Sequence, residues 1–180
     1  NTAPSGGSIS VPSSATSASV TITSTNYNYA GSGIASNVLT RSTGQSPVGG
    51  VCPAPGTFTG ATVVTSPDSG VVNGQCYVYT LTGTDNVGNT ASVATTNAVL
   101  VDATAPSDAI TLTCVAGGVF KSGTTVYYKG NAAGSFKVRD TATDASSGPA
   151  SATFGLLSGG AGFSTHNSET ISGSSPYDST

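Results

Sequence analysis

The stretch Tyr77-Val78-Tyr79-Thr80-Leu81-Thr82-Gly83-Thr84-Asp85-Asn86-Val87-Gly88-Asn89-Thr90 decides the fold. Its first half alternates, because Tyr77, Tyr79 and Leu81 fall on one face and the residues between them fall on the other. Aromatic and β-branched residues repeating with a period of two predict a half-buried strand. The polar run 85–89 has the residue types of a tight turn, and strand character resumes over 90–101. The stretch therefore predicts a β-hairpin.

The same alternation recurs along the chain in short segments separated by loops rich in Gly, Pro and Ser. It predicts strands at 8–11, 18–23, 34–41, 58–65, 109–115, 135–140 and 150–157, and a second hairpin within 119–129. Beyond residue 157 the Gly-rich and Ser-rich sequence predicts no strand. Many short strands with turn signals between them are typical of an all-β sandwich.

The chain also repeats itself. Residues 1–5 (Asn-Thr-Ala-Pro-Ser) recur 102 residues later as Ala-Thr-Ala-Pro-Ser at 103–107, a period that fits one small sandwich. We therefore predict two tandem modules, 1–101 and 102–180. The second has an insertion, and the counterpart of Asp85 would lie beyond Thr180, so this module is predicted to lack its last two strands. Either the chain is a fragment, or a partner chain supplies the missing pairing.

Two motifs resemble a known family. The run "YTLTGTDNVGNTAS" followed by "VDATAP", together with "AGSGIAS" at 30–36, resembles bacterial Ig-like (hyalin-like) repeats. Such repeats occur in tandem in large secreted or cell-surface proteins. The resemblance implies Ig-like or fibronectin-III-like β-sandwich modules and an extracellular or cell-surface location, and it implies little about a ligand.

Composition excludes several classes of function. Only 7% of the 180 residues are charged, and the net charge is −3. The few basic residues form no electrostatic patch for nucleic acid or for an anionic membrane surface. No apolar run approaches the ~20 residues that span a bilayer, so no membrane insertion is predicted.

The three cysteines are interpreted through this secreted-type composition. Cys52 and Cys76 flank a segment of loop and strand, and we predict that they form a disulfide. The alternative is a pair of buried thiols. Cys114 is left over in an alternating strand, where a buried thiol is expected.

Candidate catalytic and metal-binding groups are few. The only histidine, His166, lies in a polar loop with no nucleophile motif, so no enzymatic role is predicted. Asp85, Asn89 and Asp102 offer oxygens of the kind that bind Ca²⁺. Turn chemistry explains Asp85 and Asn89 without a metal, and no metal or cofactor is assigned.

Four tyrosines outside the predicted core are candidates for recognition. Tyr27 and Tyr29 lie in a loop, and Tyr127 and Tyr128 lie in the second hairpin. The leading functional prediction is a structural protein: a spacer, stalk or filament-forming segment that associates with itself or with neighbouring repeats. The alternative is an adhesin or carbohydrate-binding module that uses these tyrosines to bind a glycan or another surface ligand.

Overall fold

Nearly every regular element is a β-strand in the computed structural model, which describes residues 2–160 and 162–180 but not the side chain of Cys114. The all-β prediction is confirmed. The chain divides into two compact units, Asn1–Thr104 with Ala145–Ser147, and Ala105–Asp144 with Gly148–Thr180. Within the described ranges the one helix is the 3-10 turn Pro55–Thr57, and no helix is long and apolar enough to cross a membrane. The expected buried thiol of Cys114 lies outside the description.

The described residues of the first unit form nine strands: β1 (Ser8–Ser10), β2 (Ser14–Ala15), β3 (Thr23–Thr25), β4 (Ile34–Arg41), β5 (Thr62–Val63), β6 (Gln75–Tyr77), β7 (Tyr79–Asp85), β8 (Thr90–Ala94) and β9 (Val99–Val101). They form a four-stranded sheet in the order β5-β4-β7-β8, a three-stranded sheet in the order β2-β9-β6, and the pair β1-β3. All pairings are antiparallel except that of β2 with β9.

The hairpin predicted over 77–101 belongs to two sheets. Its first arm leaves the three-stranded sheet at Val78 and enters the four-stranded sheet as β7, and its second arm makes the reverse crossing between β8 and β9. From Tyr79 to Asp85 buried and half-buried residues alternate as predicted. The prediction is wrong at Val78, which is 7% exposed and packs with Cys76 and Leu100, because the strand is interrupted there.

The core of the first unit is built from both sheets. Its buried residues are Val20, Ile22, Val71, Tyr77, Tyr79, Val99 and Val101. Val20 and Ile22 are buried as the pattern over 18–23 suggests, but that segment forms only a bridge from Val20 to Asp68 before β3 begins. The strand predicted over 58–65 shrinks to β5, because the 3-10 turn and a proline-rich loop precede it.

In the part of the second unit that the structure describes there are seven strands: β10 (Ile110–Gly117), β11 (Val119–Ser122), β12 (Thr125–Tyr128), β13 (Gly134–Asp140), β14 (Ser151–Phe154), β15 (Glu169–Ser172) and β16 (Tyr177–Asp178). They form the sheet β10-β13-β16 and the pairs β11-β12 and β14-β15. The predicted hairpin is present as β11 and β12.

The end of the chain differs from the sequence prediction. β15 and β16 lie in the segment where no strand was predicted, and β15 pairs with β14 while β16 pairs with β13. Tyr177 is 1% exposed and joins Ala142, Ala152 and Phe154 in the core of this unit. The Gly-rich and Ser-rich surroundings concealed these strands, because each strand is short and supplies a single large apolar side chain to the core, Ile171 or Tyr177.

Candidate functional site

A buried ion pair crosses the interior of the first unit. Nη1 of Arg41 lies 2.9 Å from Oδ2 of Asp68, and their side chains are 14% and 4% exposed. The Tyr79 hydroxyl donates to the same carboxylate, and the backbone N–H of Gly70 donates to its other oxygen. The Arg41 guanidinium also lies over the Tyr77 ring, 5.1 Å from its centroid, a favourable cation–π distance.

This network was not predicted, since Asp68 reads as an ordinary turn residue beside Pro67 and Gly70. It holds the Tyr79 side chain neutral, because burial, followed by the hydrogen bond to Asp68, raises the pKa of Tyr79. The phenol therefore acts as a donor to a paired carboxylate. This hydrogen bond links β7 to the turn at Asp68.

The disulfide prediction is confirmed. Cys52 and Cys76 are joined, with a Cα–Cα distance of 5.7 Å. Cys76 is fully buried on β6, while Cys52 lies in the loop between β4 and β5 and is half-buried. The bond ties that loop to the strand that enters the central hairpin, and disulfides persist outside the reducing cytosol.

Asp85 organises the turn between β7 and β8. Its Oδ1 accepts hydrogen bonds from the backbone N–H groups of Val87 and Asn89, and its Oδ2 accepts one from the Asn89 side chain. Burial alone would raise the pKa of Asp85. The hydrogen bonds from Asn89 and Val87 outweigh it, so the pKa lies below its usual value.

The calcium candidates are therefore already bonded within the fold. Asp102, the third of them, accepts from the backbone N–H groups of Thr104 and Ser147. Over residues 2–160 and 162–180, no group of three or more His, Cys, Asp and Glu side chains has an arrangement suited to a metal.

The loop tyrosines of the first unit have different surroundings. Tyr27 is buried, its backbone exchanges hydrogen bonds with the Asn37 side chain, and Gly7 and Gly83 leave room for its ring. Tyr29 is half-buried and its ring lies over Gly31. Tyr27 is thus part of the core rather than a surface for recognition.

The hairpin tyrosines of the second unit, Tyr127 and Tyr128, are exposed. Tyr127 on β12 lies opposite Phe120 on β11, with ring centroids 6.0 Å apart, and these side chains are 56% and 66% exposed. Phe120 was not predicted as a site residue, because its position opposite Tyr127 depends on the register of the hairpin. Tyr128 pairs with Val119 and points to the other face of the hairpin.

That other face borders a cavity of about 440 Å³ within the second unit. Its apolar walls include Tyr128, Phe136, Leu157 and Phe163, and the rings of Phe136 and Phe163 lie 6.3 Å apart. The volume falls in the range of small-ligand pockets. The predicted binding residues Tyr127 and Tyr128 thus lie on opposite faces of one hairpin.

His166 lies at the same cavity and contacts an acid. Its Nε2 is 3.3 Å from Oε1 of Glu169. Hydrogen bonds from the side chain and the backbone of Thr180, followed by the nearby His166 and Lys137, lower the pKa of Glu169. The Glu169 carboxylate is therefore bound to the last residue of the described chain.

Comparison with protein-family models, with curated proteins and with solved structures found no significant match for this chain. The likeness to bacterial Ig-like repeats therefore rests on the quoted motifs and stays a prediction.

Proposed function

We propose that the chain is a structural segment, a spacer, stalk or filament-forming part, of a secreted or cell-surface protein. The observation that supports this best is the use of its buried polar groups. Arg41 and Tyr79 both bond to Asp68, Asp85 bonds to its own turn, and Cys52 is covalently joined to Cys76. Such bracing suits a unit that must keep its shape under tension.

Single-molecule stretching tests the proposal. Each unit should unfold in a discrete force event and refold on relaxation. Because the disulfide spans 24 residues, reduction should lengthen the extension of the first unit by about 80 Å at ~3.5 Å per residue. A chain that extends smoothly, with no force event from either unit, would contradict a structural role under tension.

A second function is favoured by the exposed pair Phe120 and Tyr127. Two adjacent rings on an open strand face, flanked by the hydroxyl groups of Ser122 and Thr125, suit stacking against the C–H face of a sugar. In that case the chain is an adhesin or carbohydrate-binding module.

A glycan array separates this function from the first. Saturable binding that is lost in both Phe120→Ala and Tyr127→Ala but kept in Tyr128→Ala would establish the sugar site, since Tyr128 lies on the opposite face. Binding that survives both substitutions would place the contact elsewhere, and an array without any signal would leave the structural role as the sole proposal.

A further inference from the structure

Among the described residues, the outer edge of β8 lacks the charges, prolines and bulges that commonly keep sheet edges apart. The described part of the chain gives β8 one hydrogen-bonded neighbour, β7, and the register between them has no bulge. Between Asn86 and Val101 the sequence contains no charged residue and no proline. Proteins commonly protect an exposed edge with lysine, proline, a bulge or a very short strand. The opposite edge of the same sheet follows this rule, because β5 is only two residues long.

The backbone groups that β8 presents outward are identified by the hydrogen bonds around it. The N–H of Asp85 donates to Asn89, and the N–H of Thr95 donates to Tyr79, so odd-numbered residues of this arm bond inward to β7. In an antiparallel ladder the residues between them point the other way. Thr90, Ser92 and Ala94 therefore direct their N–H and C=O groups toward solvent, and their side chains are exposed.

We propose that the β8 edge pairs with the β8 edge of a second copy of this chain. In antiparallel pairing about a two-fold axis at Ser92, Thr90 lies opposite Ala94 and Ser92 lies opposite its counterpart. All three residues have outward N–H and C=O groups, so every such pair exchanges both backbone hydrogen bonds. The two four-stranded sheets then become one continuous sheet.

The side chains of β8 are compatible with an identical partner. A two-fold axis places identical residues against each other, so a charge at its centre would meet a like charge. β8 has no charge, and its exposed side chains are the small groups of Thr, Ser and Ala. Pairing over five residues is a small contact, so it is weak in dilute solution and becomes effective when chains are held side by side at high local concentration.

The inference rests on the proposed structural role and adds to it a lateral contact between neighbouring copies. A charge-swap experiment tests it. Sedimentation equilibrium at rising concentration should show self-association of the wild type, while Ser92→Lys and Ser92→Glu each remain monomeric. An equimolar mixture of these two variants should associate again, because opposite charges then face each other. Thr62→Lys, on the exposed β5 edge of the same sheet, is the matched control and should associate like the wild type.

Hydrogen exchange locates the contact. The amide protons of Thr90, Ser92 and Ala94 should exchange more slowly as concentration rises, whereas Ala91 and Val93, which already bond inward, should not change. A wild type that stays monomeric up to millimolar concentration would overturn the inference. So would association that Ser92→Lys leaves intact, or a mixture of variants that does not associate. In each of these cases discrete force events would still support the structural role, so the two proposals fail separately.

Discussion

The hydroxyl of Tyr79 donates a hydrogen bond to Oδ2 of Asp68, 3.0 Å away, in the core of the first unit. The two residues lie 11 positions apart, and Tyr79 begins the strand β7 that the whole unit surrounds. The bond therefore fixes the turn at Asp68 against the centre of the fold.

Removing this hydroxyl should destabilise the first unit. Tyr79→Phe removes a hydrogen-bond donor from Oδ2 of the buried Asp68 carboxylate. Hydrogen bonds to charged groups contribute about 1.5–3 kcal/mol to stability. We expect a loss of that size in urea unfolding followed through the NMR signals of Val99 and Val101. Tyr29→Phe, on a half-buried ring, is the control and should change little. Equal midpoints for Tyr79→Phe and the wild type would show that the bond contributes nothing.

The two arginine–aspartate pairs should differ in strength. Arg41→Gln leaves Asp68 charged and buried, which should cost the first unit about 3–5 kcal/mol. Arg139→Gln disrupts the pair with Asp178, in which the Arg139 and Asp178 side chains are 39% and 36% exposed. This change should lower the stability of the second unit by only about 0–1 kcal/mol. Thermal unfolding of each variant, resolved by unit, measures both. Losses of similar size would mean that burial does not govern these pairs.

The turn at Gly88 should reject a side chain for conformational reasons alone. Gly88 has a φ of +88°, while a Cβ built there would meet no atom within 4 Å. Gly88→Ala should therefore cost about 1–2 kcal/mol through the left-handed backbone. Gly56 also has open space but no positive φ, so Gly56→Ala should be neutral or slightly stabilising. If chemical denaturation gives both variants the same free energy of unfolding, the backbone conformation at Gly88 is not the cause.

Reduction of the disulfide should weaken one unit selectively. A loop closed across 24 residues contributes about 3 kcal/mol in the chain-entropy model. Adding a reductant should lower the melting temperature of the first unit and leave that of the second unit, which contains a single cysteine, unchanged. The double variant Cys52→Ala/Cys76→Ala should melt like the reduced protein and should not respond to reductant. A reductant effect on the second unit would contradict this account.

The stability of the first unit should fall in acid through Asp85. The pKa of this carboxyl is lowered in the fold, so its stabilising effect is complete above the unfolded value of about 3.9. It is lost as pH falls from there through the lower folded pKa. A carboxyl NMR titration should place Asp85 below the usual range. Asn89→Ala, which removes one donor, should move its pKa upward. A titration of Asp85 at the usual aspartate value would refute the role of these bonds.

Sequence patterns predicted the elements that rely on local periodicity. Residues 34–41 match β4 completely, and the turn at Asp85 with its positive φ at Gly88 follows from residue type. Patterns failed where a residue's role depends on distant partners. Nothing near Asp68 signals an ion pair with Arg41, 27 residues earlier. The pattern over 77–101 also could not show that the chain changes sheets at Val78, since both sheets bury the same kinds of side chain.

The candidate binding residues were likewise predicted only where local pattern decides their exposure. Exposure of Tyr127 followed from its place in a hairpin, but the burial of Tyr27 depends on Gly7 and Gly83, which approach its ring from distant parts of the chain. β15 and β16 escaped notice because their pairing partners, and not their own composition, make them strands.

The crossing of the central hairpin between two sheets has a consequence for how the first unit loses its structure. β6 and β9 belong to one sheet and β7 and β8 to the other, while Val78 alone joins β6 to β7 and four residues, 95–98, join β8 to β9. Because these links are short, neither sheet can unfold without also displacing a strand of the other sheet. The first unit should therefore melt in one cooperative step, with no intermediate in which a single sheet survives.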